Sequence, residues 1–384
     1  MRIIDFFAGM GWIKLWVLQA FARYNKKVDC LAWSDIKKES ITLYPQIWGK
    51  DLSNLWDITQ IDLKNIPDFD IFLWGFPCQS YSMAGKRLWL NDHRGQLIYN
   101  IFDILEEKKP KIIFLENVKG ITTIDGGKTI DDIMAKFISL GYTIKYYILN
   151  SKDYGLAQSR QRVYFIGFHD SYLSKVEAEK IHNYISEEVE NHVPTSIILS
   201  NIVDQHLEED CLIDYYLNPK QSKMTILKDA FCGSIKWIDD ISNGLTKTYG
   251  HITGQSTKIA YNTKEKRYLN KKEVAELFAQ YKTESEKLKL FKDNLKKKNL
   301  NIKEKNKILD EYFETIILPD YIKLRIFTPR ECLQLQGFPK EYQNKFLQIW
   351  FKDKECYSLI GDGVSVPVIQ YLWELILSRL EQTS

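Results

Sequence analysis

The feature that most constrains the fold is a repeated alternation of short apolar runs and helix-like stretches across the first 168 residues. Each run has the length of a buried strand, and the stretches between carry apolar residues at helical spacing, as in Gln96–Glu107 and Thr129–Leu140. This alternation predicts an α/β fold with a doubly wound, mostly parallel sheet. The predicted strands are Arg2–Phe7, Val28–Trp33, Ile71–Trp74, Lys111–Leu115, Tyr142–Leu149 and Arg162–Phe168.

Glycines and carboxylates follow three of these strands. Gly9 and Gly11 form a turn after the first strand, Asp35 follows the second, and Glu116 follows the fourth. The carboxyl ends of parallel strands form the ligand crevice of an open α/β sheet, so these residues predict a ligand site. The phosphate-binding pattern G-x-G-x-x-G is absent, which favours a cofactor without a pyrophosphate. A tight turn without any ligand explains the glycines alone about as well.

A cysteine follows the third strand. Cys78 comes directly after Pro77, which fixes the backbone dihedral at that point. The six cysteines form no C-x-x-C pair and the six histidines show no ligand spacing, so we predict neither a disulfide framework nor a metal site. Cys78 is then free to act as a thiolate, although a lone cysteine of this kind is more often a buried structural residue.

The neighbours of Cys78 carry a family resemblance. The loop GFPCQSYSMAGKR (75–87) resembles the Pro-Cys motif of the DNA cytosine-5 methyltransferases, and other motifs of that family follow in the family's order over roughly the first 168 and the last 60 residues. The resemblance implies transfer of a methyl group from S-adenosylmethionine to cytosine in duplex DNA, with S-adenosylhomocysteine as product. The other motifs are DFFAGMG (5–11), DITQ (57–60), DHRGQL (92–97), ENVKG (116–120), QSRQRVYFIGF (158–168), TPRECLQLQGFP (328–339) and GDGVSVPV (361–368).

The resemblance also implies roles for individual residues. Cys78 would add to carbon 6 of the cytosine, and Glu116 would protonate N3. Arg162 would stabilise charge at O2, and Arg160 would orient the carboxylate or the loop. The implied cofactor contacts come from Phe7, Gly9, Gly11, Asp35, Ile36, Asp57, Ile58, Pro77, Leu97 and Asp362. The implied substrate contacts come from Gln79, Ser82, Lys86, Arg94, Thr246 and Lys247.

Three positions depart from the family pattern. Trp12 stands where the family usually has a second glycine, and Asp35 stands where a glutamate is usual. Asp362 replaces the asparagine of the last motif, so an acceptor takes the place of an amide donor. We therefore expect the local bonding of the last motif to differ from the family pattern, whereas Asp35 keeps the charge of the glutamate on a shorter side chain.

The chemistry of cytosine methylation explains why these residue types occur together. Carbon 5 is a poor nucleophile, so a thiolate must first add to carbon 6 and make the ring electron-rich. Negative charge then builds towards N3 and O2, where a carboxylic acid and a cation stabilise it. The base must also leave the stacked duplex, at a cost of roughly a few kcal/mol. We expect the polar loop 79–97 to close around the flipped nucleotide.

The middle of the chain loses the strand–helix alternation, which predicts two domains. Residues 1–190 and 340–384 form the predicted catalytic domain, and residues 191–339 form a smaller target-recognition domain. Segment 242–258 is rich in Gly, Thr, Ser and Lys, a composition suited to loops that contact phosphates and base edges.

Two helical features are predicted within the smaller domain. Segment 262–320 predicts a lysine-rich helical hairpin that begins at Asn270 and either contacts the DNA backbone or serves as a solvated spacer. Thr328 and Glu331 form a capping-box pattern at the start of a further helix, which ends before Gly337.

Composition limits the remaining possibilities. The chain is 45% hydrophobic and 13% aromatic, and no run approaches the roughly eighteen apolar residues of a membrane helix. We expect a cytoplasmic, nucleoid-associated monomer that acts on duplex DNA, with a cognate restriction endonuclease as a candidate partner. Two alternatives stay open: a tRNA cytosine-5 methyltransferase with the same catalytic core, and a DNA-binding regulator without turnover.

Overall fold

The computed structural model describes most of the chain. The described residues are 1–75, 96–195, 197–203, 217, 221–222, 235–236, 240, 242–243, 257–298, 300–317, 319, 321–349 and 352–382. The strands are β1 (Arg2–Phe6), β2 (Asp29–Ser34), β3 (Ser53–Asn54), β4 (Ile71–Gly75), β5 (Ile112–Val118), β6 (Tyr142–Asn150), β7 (Gln158–Ser159), β8 (Gln161–His169), β9 (Ile235–Lys236), β10 (Ser242–Asn243), β11 (Lys258–Asn262), β12 (Arg267–Tyr268) and β13 (Ile322–Ile326).

Helices separate many of these strands. They are α1 (Trp12–Arg23), α2 (Lys38–Trp48), α3 (Gln96–Lys108), α4 (Lys128–Ser139), α5 (Lys175–Glu190), α6 (Lys271–Lys297), α7 (Ile302–Glu314), α8 (Pro329–Leu335), α9 (Lys340–Gln348), α10 (Asp353–Gly361) and α11 (Val366–Gln382). Short 3-10 helices lie at Leu63–Asn65, Lys119–Thr122, Ile124–Gly127, Ser151–Asp153 and Leu199–Asn201.

The main sheet has seven strands in the order β3-β2-β1-β4-β5-β8-β6. β1 pairs in parallel with β2 and β4, β2 with β3, and β4 with β5, whereas β8 runs antiparallel to β5 and β6. The predicted doubly wound, mostly parallel sheet is confirmed. The strand order reverses at β1, so the carboxyl ends of β1, β2, β4 and β5 border one crevice, where such sheets bind ligands.

Alternate residues of the central strands enter two separate cores. Ile3 and Leu73 pack with α1, α5 and α11 on one face of the sheet. Ile4, Phe72 and Trp74 pack with α3 and α4 on the other face. Both faces of a parallel sheet must be covered, which explains why these strands read as continuous apolar runs instead of alternating with polar residues.

A second, smaller sheet surrounds β11. β12 and β13 pair antiparallel with β11, and β9 pairs with it in parallel. The helical insertion predicted for this region is confirmed: Asn270 caps α6 through a capping box with Glu273, and Asn301 caps α7 through a capping box with Glu304. The predicted capping box of Thr328 and Glu331 starts α8, and Gly337 follows that helix with a φ of +87°.

Among the residues that the structure describes, one stretch, Asp353–Gln382, is long and apolar enough to cross a membrane by length and composition, and it contains α10 and α11. However, 72% of its most apolar window is buried inside the protein. Trp373 of α11 packs against Phe21 of α1 and Phe114 of β5. The apolar character of α11 therefore reflects its position in the core.

Candidate active site

The glycine turn after β1 is built around a hydrogen bond to Asp35. The Gly9 N–H donates to Asp35 Oδ2 at 2.8 Å, which ties the end of β1 to the end of β2. Gly11 has a φ of +80°, and a Cβ at this position would lie 2.3 Å from Trp48 Nε1. Only glycine accommodates both that backbone conformation and that close approach.

Trp12, a departure from the family pattern, is buried between two distant segments. Its ring packs edge-on against Phe338, with ring centroids 3.8 Å apart. A Cβ on Gly363 would lie 2.6 Å from the indole. The side chain at position 12 is therefore accommodated by a glycine near the end of the chain, and it joins the cofactor turn to the last two family motifs.

The acidic end of β2 presents one carboxylate and one apolar side chain. Asp35 Oδ1 accepts the Lys37 N–H at 2.8 Å; a carboxylate has about four acceptor positions, so two remain after its bonds to Gly9 and Lys37. Asn54 of β3 brackets the Asp35 backbone, accepting its N–H at 3.3 Å and donating to its carbonyl at 3.1 Å. Ile36 is 63% exposed, which is unusual for an isoleucine beside a buried acid.

The remaining described cofactor candidates lie around this crevice. Asp57 Oδ1 accepts the N–H and hydroxyl of Thr59 at 2.9 and 2.8 Å, which holds the loop after β3 in a tight turn. Ile58 is buried. Phe7 has a φ of +52° and packs on Trp74, with ring centroids 5.4 Å apart. Leu97 packs against the apolar core that contains Trp74, on the α3 and α4 face of the main sheet.

A carboxylate and an arginine meet at the end of β5. Arg162 Nε lies 2.9 Å from Glu116 Oε1, and both side chains are largely buried. Glu116 also stands opposite Gly75 in the register of β4 and β5, and a Cβ on Gly75 would lie 3.7 Å from Glu116 Oε2. The pair therefore adjoins the strand end that leads, three residues later, to Cys78.

Burial raises the pKa of Glu116, while Arg162 and Arg160 act in the opposite direction. Because its pKa is raised, Glu116 carries its proton up to a higher pH than an exposed glutamate does. A buried carboxyl that can carry a proton suits proton donation to a ring nitrogen.

Arg160 holds the last family motif. Its guanidinium donates to the carbonyl of Gly363 at 2.5 Å and to that of Gly361 at 3.3 Å. Burial and the neighbouring Arg162 lower its pKa to about 9. Between these two glycines, Asp362 forms an ion pair with Lys37. The segment that contains Asp362 is thus attached both to the residue between β7 and β8 and to the loop after β2.

A buried polar cluster lies beneath the glycine turn. The Tyr44 hydroxyl donates to Asp5 Oδ2 at 3.1 Å and accepts from Lys14 Nζ at 3.2 Å. Lys14 Nζ also lies 4.3 Å from the centroid of the Trp48 ring. Burial raises the pKa of Asp5 to about 7, because it outweighs the opposing effects of Lys14 and Tyr44.

The structure brings together many of the residues predicted from sequence, and it adds others. Gly9 and Asp35 meet directly, as do Glu116 and Arg162. Lys37, Asn54, Gly75 and Gly363 were not predicted as site residues. Lys37 follows Asp35 by two residues, and Gly75 and Gly363 lie within named motifs, whereas Asn54 carried no local signal. Some predicted residues lie outside the described residues: Pro77, Cys78, Gln79, Ser82, Lys86, Arg94, Thr246 and Lys247.

The reversed strand order and the strand-end crevice, with its glycine turn and acidic partner, define an open, doubly wound α/β fold with a ligand site at the strand ends. The solved structure of the methyltransferase EhMeth from Entamoeba histolytica has this fold: the TM-score is 0.65 at 22% identity, covering 100% of this chain and 99% of that one. The chain belongs to the C-5 cytosine-specific DNA methylase family, whose model matches residues 1–378. It is a DNA (cytosine-5) methyltransferase that uses S-adenosylmethionine.

Curated relatives agree with this assignment. The Type II methyltransferase M1.ScrFI of Lactococcus lactis subsp. cremoris is 30% identical over 383 residues, which cover 100% of this chain and 79% of the relative. The Type II methyltransferase M.NlaIV of Neisseria lactamica is 30% identical over 436 aligned residues, covering 99% of both chains.

Proposed function

We propose that this enzyme methylates a cytosine within a specific short sequence of duplex DNA through a covalent adduct with Cys78. The observation that carries the proposal is the buried Glu116–Arg162 pair, which adjoins Gly75 at the end of the strand that leads to Cys78. Addition of a cysteine thiolate to a pyrimidine ring requires an acid and a cation nearby, and the Glu116–Arg162 pair supplies both.

The residues of the crevice fit a nucleoside cofactor without a pyrophosphate. Asp35 retains acceptor capacity for ribose hydroxyls, and Ile36 offers an exposed apolar surface to a base. Asp57 lies on the neighbouring loop, where its carboxylate suits an exocyclic amino group. The glycine turn at Gly9 and Gly11 leaves the backbone open to close approach. S-adenosylmethionine supplies an electrophilic methyl group when bound, and the remaining proposed contacts are Phe7, Ile58, Pro77, Leu97 and Asp362.

The protein's own groups complete the reaction. The Cys78 thiolate forms a bond to carbon 6, and the electrons of the C5–C6 double bond move towards N3, where Glu116 supplies a proton. Arg162 stabilises the charge at O2 and holds the Glu116 carboxyl in place. After carbon 5 is methylated, a base removes its proton. The C5–C6 double bond then re-forms and the thiolate leaves.

Arg160 acts as a positioning residue in this proposal. Its guanidinium donates to the carbonyls of Gly361 and Gly363, so it supports the wall of the crevice that the last motif forms. Recognition of the flipped nucleotide is assigned to the loop that follows Cys78 and to the recognition segment. The proposed DNA contacts are Gln79, Ser82, Lys86, Arg94, Thr246 and Lys247.

The biological setting follows from the chemistry and the relatives. Similarity to Type II methyltransferases supports a role beside a cognate restriction endonuclease. We propose in addition that the enzyme acts as a cytoplasmic monomer at the nucleoid. We assign catalysis to residues 1–190 and 340–384, and target recognition to residues 191–339. The small sheet around β11 and the connection through α8 support this division.

A mechanism-based trap tests the proposal. A PCR product containing 5-fluorocytosine in place of cytosine should form an adduct that survives denaturing electrophoresis, because fluorine cannot be removed as the proton is. Cys78→Ala should abolish the adduct. Cys30→Ala is a matched control, since burial raises the pKa of this half-buried thiol, and it should retain the adduct. An adduct that persists in Cys78→Ala would refute the assignment of the nucleophile.

A second assay tests the substrate. With labelled S-adenosylmethionine, unmethylated plasmid DNA should accept methyl groups at one short sequence, which bisulfite sequencing identifies. Total tRNA should remain unlabelled. Labelling of tRNA without labelling of DNA would support the RNA alternative, and labelling of neither would support a regulator without turnover.

A further inference from the structure

Positive charge is concentrated at one end of the helical hairpin formed by α6 and α7. We define the hairpin tip as residues 289–307, which carry eight lysines and two acidic residues, a net charge of +6. The first part of α6, residues 271–288, carries four lysines and four glutamates, and residues 308–317 carry three acidic residues and no basic one. A lysine-rich spacer without a function would not need its excess positive charge concentrated in the hairpin tip.

The hairpin is a packed structural element. The Tyr281 hydroxyl donates to the carbonyl of Ile317 at 2.8 Å, which joins the middle of α6 to the chain just after α7. Phe291 and Tyr312 stack between the helices with ring centroids 4.7 Å apart. Leu288 is buried on the same side of α6. From Tyr281 to the end of α6 the helix rises about 24 Å, at roughly 1.5 Å per residue, so the end of α6 lies about that far along the helix axis from this contact.

The lysines of the tip differ from those of the first part of α6 in their partners. Lys272 and Lys287 face Glu276 and Glu284 on the same helix. At the tip, Lys296 pairs with Asp293, whereas Lys297, Lys298 and Lys303 are exposed and form no ion pair with any described residue. Exposed ammonium groups without carboxylate partners remain available to an external anion.

We infer that the hairpin tip binds the phosphate backbone of duplex DNA outside the target sequence. The inference rests on the proposed function, because DNA is the polyanion that this enzyme must hold. Duplex DNA carries one negative charge per roughly 1.7 Å of helix axis, and lysine contacts release its counterions regardless of sequence. The tip therefore adds affinity and a longer footprint, and the recognition segment and the loop after Cys78 determine which cytosine is methylated.

The test compares two triple variants of the full-length enzyme. The tip variant carries Lys297→Gln, Lys298→Gln and Lys303→Gln. The control variant carries Lys272→Gln, Lys282→Gln and Lys287→Gln, so both lose three charges from the same hairpin. Glutamine keeps the helix propensity close to that of lysine, and far-UV circular dichroism of both variants verifies the helices. The Kd of a fluorescein-labelled, random-sequence 40-base-pair duplex is measured from about 50 to 200 mM salt.

The tip variant should bind this duplex at least about tenfold more weakly at 50 mM salt, and the slope of log affinity against log salt should be shallower by about 1 to 3. The control variant should retain the wild-type slope. Equal slopes in all three proteins, or equal losses in both variants, would overturn the inference. Methylation of plasmid DNA by the wild type is measured in parallel, so failure of the proposed function is seen separately from failure of the tip assignment. A changed methylated sequence in the tip variant would also overturn it, because the tip would then read bases.

Discussion

Replacing Arg325 with methionine should destabilise the protein more than almost any other single substitution outside the active site. Arg325 is fully buried, and its guanidinium donates to both carboxylate oxygens of Glu331 at 2.8 and 2.7 Å. It also donates to the Tyr268 hydroxyl at 3.0 and 2.6 Å. These bonds join β12, β13 and α8, so the pair links the small sheet to the helix that leads back to the main sheet.

The magnitude follows from what the substitution leaves behind. Arg325→Met would leave the Glu331 carboxylate buried in the core with one backbone donor, the Thr328 N–H at 2.7 Å. Removing one partner of a buried ion pair costs about 3–5 kcal/mol, because the remaining charge is desolvated and uncompensated. Replacing both Arg325 and Glu331 with methionine removes that charge. The double variant should lose only about 1–2 kcal/mol, chiefly the capping bond of α8.

The assay is urea unfolding of the wild type, both single variants and the double variant, followed by tryptophan fluorescence. Hydrogen exchange in β11 and β13 reports whether the loss is local to the small sheet. The double variant should be more stable than Arg325→Met, with a coupling energy of about 2 kcal/mol or more. A cost below about 1 kcal/mol for Arg325→Met, or simple additivity of the two substitutions, would refute the view that this pair is a desolvated, mutually dependent unit.

Two further predictions concern the cofactor turn and the polar cluster beneath it. Gly11→Ala should weaken S-adenosylmethionine binding at least about tenfold. A positive φ and the clash with Trp48 together disfavour the present turn conformation by about 2–3 kcal/mol, and a turn that relaxes from it no longer fits the cofactor; an unchanged Kd in titration calorimetry would contradict this reason. Asp5 has a raised pKa of about 7 against an ordinary value of 3.8. Between those values the unfolded state releases the proton first, so the stability of the wild type relative to Asp5→Asn should fall as pH rises from about 4 to 7 and then level off. Unfolding free energies of the wild type and Asp5→Asn that run parallel across this range would contradict the assigned burial effect.

The local signals in the sequence predicted most elements correctly. The six predicted strands of the main sheet each begin and end within a few residues of their predicted bounds, and the capping boxes at Asn270 and Thr328 start helices as expected. The two-residue strand β3 was not predicted. These features depend on interactions within a few residues, such as apolar periodicity and backbone donors at a helix end. The helical hairpin was predictable for the same reason, and the extra capping box at Asn301 follows the same rule.

The sequence by itself determined the alternation of elements, the residue types at the strand ends and the family motifs that name the reaction. Only the tertiary structure decided that antiparallel β8 brings Arg162 to Glu116, that Trp12 fills the space beside Gly363, and that Asp5 is buried deeply enough to raise its pKa. Such pairings join residues tens to hundreds of positions apart. They depend on strand order and on which side chains exclude water together, and no short-range pattern in a chain records either property.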